Sequence, residues 1–222
     1  MKPIQVAKFA GQAGTPGIAI LLLAIGVLVV GILVTRLLLG NARIDQAVAL
    51  INNTTAAVFA YQDRYGRTPG DDGPEASLAV RGDNWSVVTA GNVNGVLDVS
   101  INQVFTGDQE SAPFWQQLRA AGFFSGDPAA SGREALPGNP FGGLVGVLSG
   151  DIGGGLEGNK VCLSQVPGAA ASAIDQRLDD GDGGRGRLRA TPSTAGANTN
   201  PSNNVLSDSY QENSLYTICY QM

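Results

Sequence analysis

No histidine occurs anywhere in the 222 residues. Ser-His and Cys-His nucleophile pairs, imidazole acid–base chemistry and most zinc sites are therefore excluded. Cysteine is restricted to Cys162 and Cys219, too few to build a structural zinc centre unaided. Acids are missing from the start of the chain: the first 43 residues hold Lys2, Lys8, Arg36 and Arg43, and the first carboxylate is Asp45. The rest carries ten basic and nineteen acidic residues, a net of −9, which speaks against nucleic acid as a partner of that part. Aromatics make up only 6%, against 31 glycines and 11 prolines, so a modest core with long loops is expected.

What the chain has in quantity is one uninterrupted apolar run. No charge falls between Lys8 and Arg36, and Gly17 to Val34 is apolar at every position, the length that crosses a hydrocarbon core as a helix. A buried core helix would show only ~10 to 14 such residues. Within lipid the backbone must satisfy its own polar groups, so a helix over about 17–35 is the single-pass solution. Beyond Arg36 the helical pattern continues in amphipathic form over 36–66. Ile44, Val48, Ile51, Val58 and Tyr65 recur on one stripe, widened by Ala47, Leu50, Ala57 and Tyr61, with Asp45, Gln46, Asn52, Asn53, Gln62 and Asp63 between them. Thr15 fits an N-cap, Pro16 the first helical position and Gly66 a left-handed C-cap, which predicts one helix over 16–66 of roughly 50 residues, near 75 Å. Residues 1–15 form a leader-like segment that lacks the short apolar core and small-x-small site of an ordinary secretory signal. Lys2 and Lys8 favour a cytoplasmic N-terminus, although Arg36 and Arg43 nearly balance them.

Residues 67–222 remain for one compact head, enough to bury a core. A lone cysteine pair beyond an export-type segment reads as a disulfide formed outside the reducing cytosol, the alternative being two unrelated buried thiols. Closing that loop of about 58 residues would stabilise the head by roughly 4 kcal/mol. Thr68-Pro69-Gly70-Asp71-Asp72-Gly73-Pro74 must be loop. The stretch Gly91-Asn92-Val93-Asn94-Gly95-Val96-Leu97-Asp98 has a spacing faintly like a calcium loop but lacks the carboxylates and closing glutamate, so it reads as a structural turn. Glu110 to Gly122 predicts a short helix with Ser111 near its cap, Pro113 in its first turn and Phe114 and Leu118 inward. Strands are expected within Leu144–Leu148, at Val161–Val166, at Arg187–Ala190 and at Leu215–Tyr220, with a helix from about Ala169 to Leu178. Strands that follow a long helix without a βαβ rhythm point to an α+β head with a small antiparallel sheet.

The richest constellation of ligating groups is Asp179, Asp180 and Asp182 among Gly181, Gly183 and Gly184. Such oxygens suit calcium, and they equally suit a turn ion-paired to Arg177, Arg185, Arg187 or Arg189 after the helix. No catalytic constellation is present, and an enzyme is not expected.

The order of these parts carries a resemblance. An apolar helix running into an amphipathic half is followed by Tyr61-Gln62-Asp63-Arg64-Tyr65-Gly66-Arg67-Thr68-Pro69-Gly70-Asp71. Then come Phe114-Trp115-Gln116-Gln117-Leu118-Arg119-Ala120-Ala121-Gly122, Ile174 to Gly181 with Gly186 to Ala190, and a terminal cysteine strand. Together these resemble type IV pilin-like proteins, including the pseudopilins of type II secretion. The resemblance implies a pilin-like α+β fold and a subunit held in the inner membrane by a single pass until assembly machinery draws it into an extracellular filament or a periplasmic pseudopilus. It implies copies of itself or related pilins as partners, no cofactor, and a filament-core helix with Gly17, Leu22, Gly26, Val30, Gly31 and Val34 on it. The family's processing motif places a glycine before the cleavage point and a glutamate five residues on. Here Gly11, Gly14 and Gly17 are the candidate glycines, followed at the fifth position by Pro16, Ala19 and Leu22, a departure from the pattern. A single-pass anchor bearing an exported binding or adhesion head is the competing expectation.

Overall fold

The computed structural model describes residues 15–153, 155–203 and 209–222, with backbone alone for 15–20, 31 and 33–37. The leader-like segment and Gly11 and Gly14 lie outside the described residues, as do the surroundings of Gly17, Gly31 and Val34. The chain divides into two compact units, Met1–Asn41 and Ala42–Met222.

The first unit holds the beginning of α1 (Thr15–Tyr65), an α-helix of 51 residues. Leu21, Leu22, Leu23, Ile25, Val27 to Val30, Ile32, Leu38 and Leu39 all expose their side chains. Gly26 and Gly40 have open space where a side chain would project. Among the described residues no helix is long and apolar enough to cross a membrane, and much of the span expected over 17–35 lies outside the described side chains.

In the second unit the rest of α1 is built into the core. Ile44, Ala47, Ile51, Ala57, Val58 and Tyr61 are buried along one face, as the i, i+3, i+4 spacing requires. Thr54, also buried there, donates its hydroxyl to Leu50 O at 2.8 Å, so no polar group is stranded. The helix ends at Gly66, whose positive φ of 66° and N–H to Gln62 O at 2.8 Å close the last turn. The segment that follows holds a five-residue helix, α2 (Glu75–Ala79), which the turn-forming residues around it had hidden from sequence reading.

Next, α3 (Ser111–Ala120) is buried over its first eight residues, Phe114, Trp115 and Leu118 among them. Its cap is Glu110 rather than Ser111, and no side chain caps the first turn, because the Glu110 carboxylate is engaged elsewhere. Four strands follow, β1 (Val145–Leu148), β2 (Lys160–Pro167), β3 (Leu188–Ser193) and β4 (Leu215–Gln221), and β3 runs three residues past the Arg187–Ala190 strand expected from sequence. With α4 (Gly168–Leu178) between β2 and β3, they form a four-stranded antiparallel sheet in the order β1-β2-β4-β3. The unit is thus α+β.

Edge strand β3 presents no free outward N–H between Leu188 and Pro192. The Leu188 N–H goes to Asp179 Oδ2 at 2.8 Å, that of Ala190 to Gly183 O at 2.8 Å, and Pro192 has none. A closed edge of this kind blocks strand addition.

Candidate functional site

Three constellations stand out, all within the second unit. The first is a clasp between the end of α1 and the segment after it. Tyr61 donates its hydroxyl to Asp72 Oδ2 at 2.6 Å, and Arg81 grips the same carboxylate through Nη1 at 2.6 Å and Nη2 at 3.2 Å. Asp72 is fully buried, and the guanidinium of Arg81 lies 4.5 Å from the Tyr65 ring centre and 4.9 Å from that of Trp85. Burial and the neighbouring carboxylate raise the Tyr61 phenol well above its ordinary value, so it stays a donor. Gln117 of α3 completes the arrangement, accepting Gly70 N–H at 2.6 Å and donating to Asp72 O and Thr89 O at 3.1 Å. Sequence reading treated Asp71 and Asp72 as turn residues, and only the fold makes a buried ion pair of one of them.

The second is the loop Asn92–Asp98. Two buried carboxylates hold its backbone: Asp71 accepts from Asn94 N and Gly95 N at 2.9 and 2.8 Å, and Glu110 accepts from Asn92 N and Asp98 N at 3.0 and 2.7 Å. Asp98 in turn receives the amide groups of Asn92 and Asn94 at 2.6 and 2.7 Å. Four backbone donors engage all four oxygens of the two carboxylates, which explains the loop as a structural turn. Burial raises the Glu110 carboxyl above its ordinary value, opposed by its two backbone donors.

The third is the acidic turn after α4, and here the structure changes the membership expected from sequence. The oxygens that converge within 4.8 Å belong to Asp175, Asp179 and Asp180; Asp182 is not among them. Asp175 lies one helical turn before Asp179 and is drawn in because α4 continues to Leu178, which puts i and i+4 on one face. Asp179 bonds the backbone N–H groups of Arg187 and Leu188, and Asp175 takes the hydroxyl of Tyr210 at 2.6 Å and Gly181 N–H at 3.2 Å. Asp182 meets Arg185 at 3.5 Å, whereas Arg177 turns away to pair with Asp45 on α1. The turn is therefore held chiefly by backbone donors rather than by the arginine pairs. Burial raises the Asp175 carboxyl, and Asp179 and Asp180 add to the rise. Such oxygens suit calcium chemistry, but most of them already accept protein donors.

Cys162 and Cys219 are directly opposite on the central strands β2 and β4 and form a disulfide, with no free cysteine in the chain. At the start of β2, Lys160 is fully buried and donates Nζ to Gly150 O and Gly158 O at 2.5 and 2.6 Å. Burial lowers it from 10.5 to about 8, against the pull of Glu157 and Asp151. No sequence pattern marked it, since a lysine opening a strand normally reads as exposed.

On the outer side of α1, a groove of about 510 Å³ is lined by Leu50, Asn53, Ala56, Ala57, Ala60 and the Phe123–Ser125 turn. Of the core-helix residues singled out from sequence, Leu22, Gly26 and Val30 belong to the described part of the first unit, where Leu22 and Val30 are exposed. No protein-family model matches this chain, and neither a curated protein nor a solved structure is significantly similar to it.

Proposed function

We propose that the chain is a structural subunit of a type IV pilus-like or pseudopilus filament, pilin-like in fold and assembled by lateral packing of α1. One observation carries this reading. A single helix of 51 residues exposes an almost wholly apolar surface over residues 21–30 and at Ile32, and supplies a core face of an α+β unit. Bare leucine, isoleucine and valine on consecutive turns demand an apolar environment. Lipid supplies it while the subunit waits in the inner membrane, and copies of the same helix supply it after assembly. Small residues such as Gly26 let such helices approach closely. The disulfide between the central strands suits a head that works in an oxidising compartment.

The test is recovery. Material sheared from the surface of producing cells, or filaments released from the periplasm, is imaged by negative stain and probed for this chain. Filaments that label along their length support the reading. Recovery of the chain only from detergent-solubilised membrane overturns it in favour of a single-pass anchor with an exported binding head.

A further inference from the structure

The clasp uses only one edge of Arg81. A guanidinium offers two bidentate edges, the end-on pair Nη1–Nη2 and the side-on pair Nε–Nη2. Asp72 takes the end-on edge at 2.6 and 3.2 Å. The Nε–H and the second N–H of Nη2 have no acceptor among the described residues, and the side chain keeps 20% of its exposure. Arg81 lines a cleft of about 370 Å³, together with Arg64 and Tyr65 at the end of α1, the turn Gly82 to Trp85, and Ala120 and Ala121 where α3 ends. That volume falls in the range of small-ligand sites.

The lining mixes charges and neutral polar groups. The exposed Arg64 guanidinium lies 5.3 Å from the Tyr65 ring centre, and Arg81 lies 4.5 Å from the same ring. Two cations thus converge on one ring, and of the two only Arg81 has an ion-pair partner among the described residues. Asp83 and Asn84 are exposed, and their side chains bond nothing among the described residues. Carbonyls in the last turn of a helix lack intrahelical donors, and those of Ala120 and Ala121 receive no backbone N–H from the turn that follows.

We infer that this cleft binds a uronic-acid residue, with its carboxylate side-on to Arg81, Arg64 as the second cation, and its ring hydroxyls on Asp83, Asn84 and the end of α3. A planar carboxylate matches the free fork as Asp72 matches the other edge. Phosphate and sulfate fit the fork too, but a dianion meets the like charge of Asp83. An apolar ligand finds little to touch, because Trp85 is buried and the Arg81 guanidinium covers both rings. A hydroxyl both donates and accepts, so a sugar acid serves the acid, the amide and the carbonyls at once. The site lies wholly within the second unit and does not depend on the filament reading, since a filament subunit and an anchored head would carry it alike.

The experiment titrates the full chain in mild detergent with trigalacturonate, read by calorimetry and by tryptophan emission, since Trp85 borders the cleft. Saturable binding in the millimolar range or tighter is expected. The methyl ester of the same oligomer keeps the ring hydroxyls but loses the charge, and should bind at least about tenfold more weakly. Arg64→Gln should also weaken trigalacturonate about tenfold while leaving the urea midpoint unchanged, because Arg64 bonds no other part of the fold. Asp83→Ala should weaken it about fivefold even though a negative charge is removed, the signature of a hydroxyl contact. The assignment is overturned by lack of saturation, by equal affinity for the ester, by undiminished binding to Arg64→Gln or by tighter binding to Asp83→Ala. Displacement by inorganic phosphate or free glycine at lower concentration than by trigalacturonate overturns it as well. None of these readouts involves assembly, so failure here leaves the filament reading standing.

Discussion

Asp72→Ala is the most informative single change for the stability of the second unit. The carboxylate is fully buried and serves two charge-assisted bonds from Arg81 and one from the Tyr61 hydroxyl. Its removal leaves a mostly buried guanidinium and a buried phenol without an acceptor. Breaking a buried pair costs ~3 to 5 kcal/mol. Because the Arg81 side chain keeps 20% of its exposure and can draw in water, the lower end applies, about 3 kcal/mol. Arg81→Met should cost a similar amount, since a buried carboxylate then keeps only the phenol. The double variant Asp72→Ala, Arg81→Met leaves no buried charge but still strands the buried Tyr61 hydroxyl, so it should cost about 1 to 3 kcal/mol, well below the sum of the two single changes. Urea unfolding of the full chain in mild detergent, followed by tryptophan emission, reads the effect directly, since Trp85 touches Arg81. With a slope near 2 kcal/mol per molar, each single change should move the midpoint by roughly 1.5 M. Single effects that add in the double variant would refute the reasoning, for they would mean that the two side chains do not act as one desolvated unit.

The pH dependence above neutrality has a definite sign. Lys160 binds its proton less tightly folded, at about 8, than its ordinary value of 10.5, so the unfolded chain holds more protons in between. Stability should therefore rise from about pH 8 toward pH 10, and Lys160→Met should flatten that rise in pH-dependent urea titrations. Tyr61 and Tyr210 act oppositely: both phenols are raised by burial, so their contribution is lost as the unfolded tyrosines ionise near pH 10 and above. Replacing Cys162 and Cys219 by serine opens a separation of 57 residues and should cost up to roughly 4 kcal/mol, read as a lowered thermal midpoint that reductant no longer alters. Gly146→Ala should cost about 2 kcal/mol, since a Cβ there runs into the Val104 carbonyl and Cγ1 with no flexible end to yield; thermal unfolding against an exposed control such as Gly142→Ala, an open turn with φ of 87°, separates crowding from backbone strain.

The parts legible from the chain alone are those written in local patterns. The apolar period of α1, the β-branched strands and the punctuating glycines depend only on side-chain spacing and backbone preference, and β1, β2, β4, α3 and α4 fall where those patterns put them. The exclusion of histidine chemistry needed only a count. Pairings across long separations left no local mark. Nothing near Asp72 announces Arg81, nothing in the α4 sequence sets Asp175 above Asp182 as the partner of Asp179, and nothing about Lys160 foretells burial. Those assignments follow from which surfaces the fold closes over. Once water is excluded, a trapped charge or hydroxyl is stabilised only by a partner within reach, and only the assembled unit determines which groups are within reach.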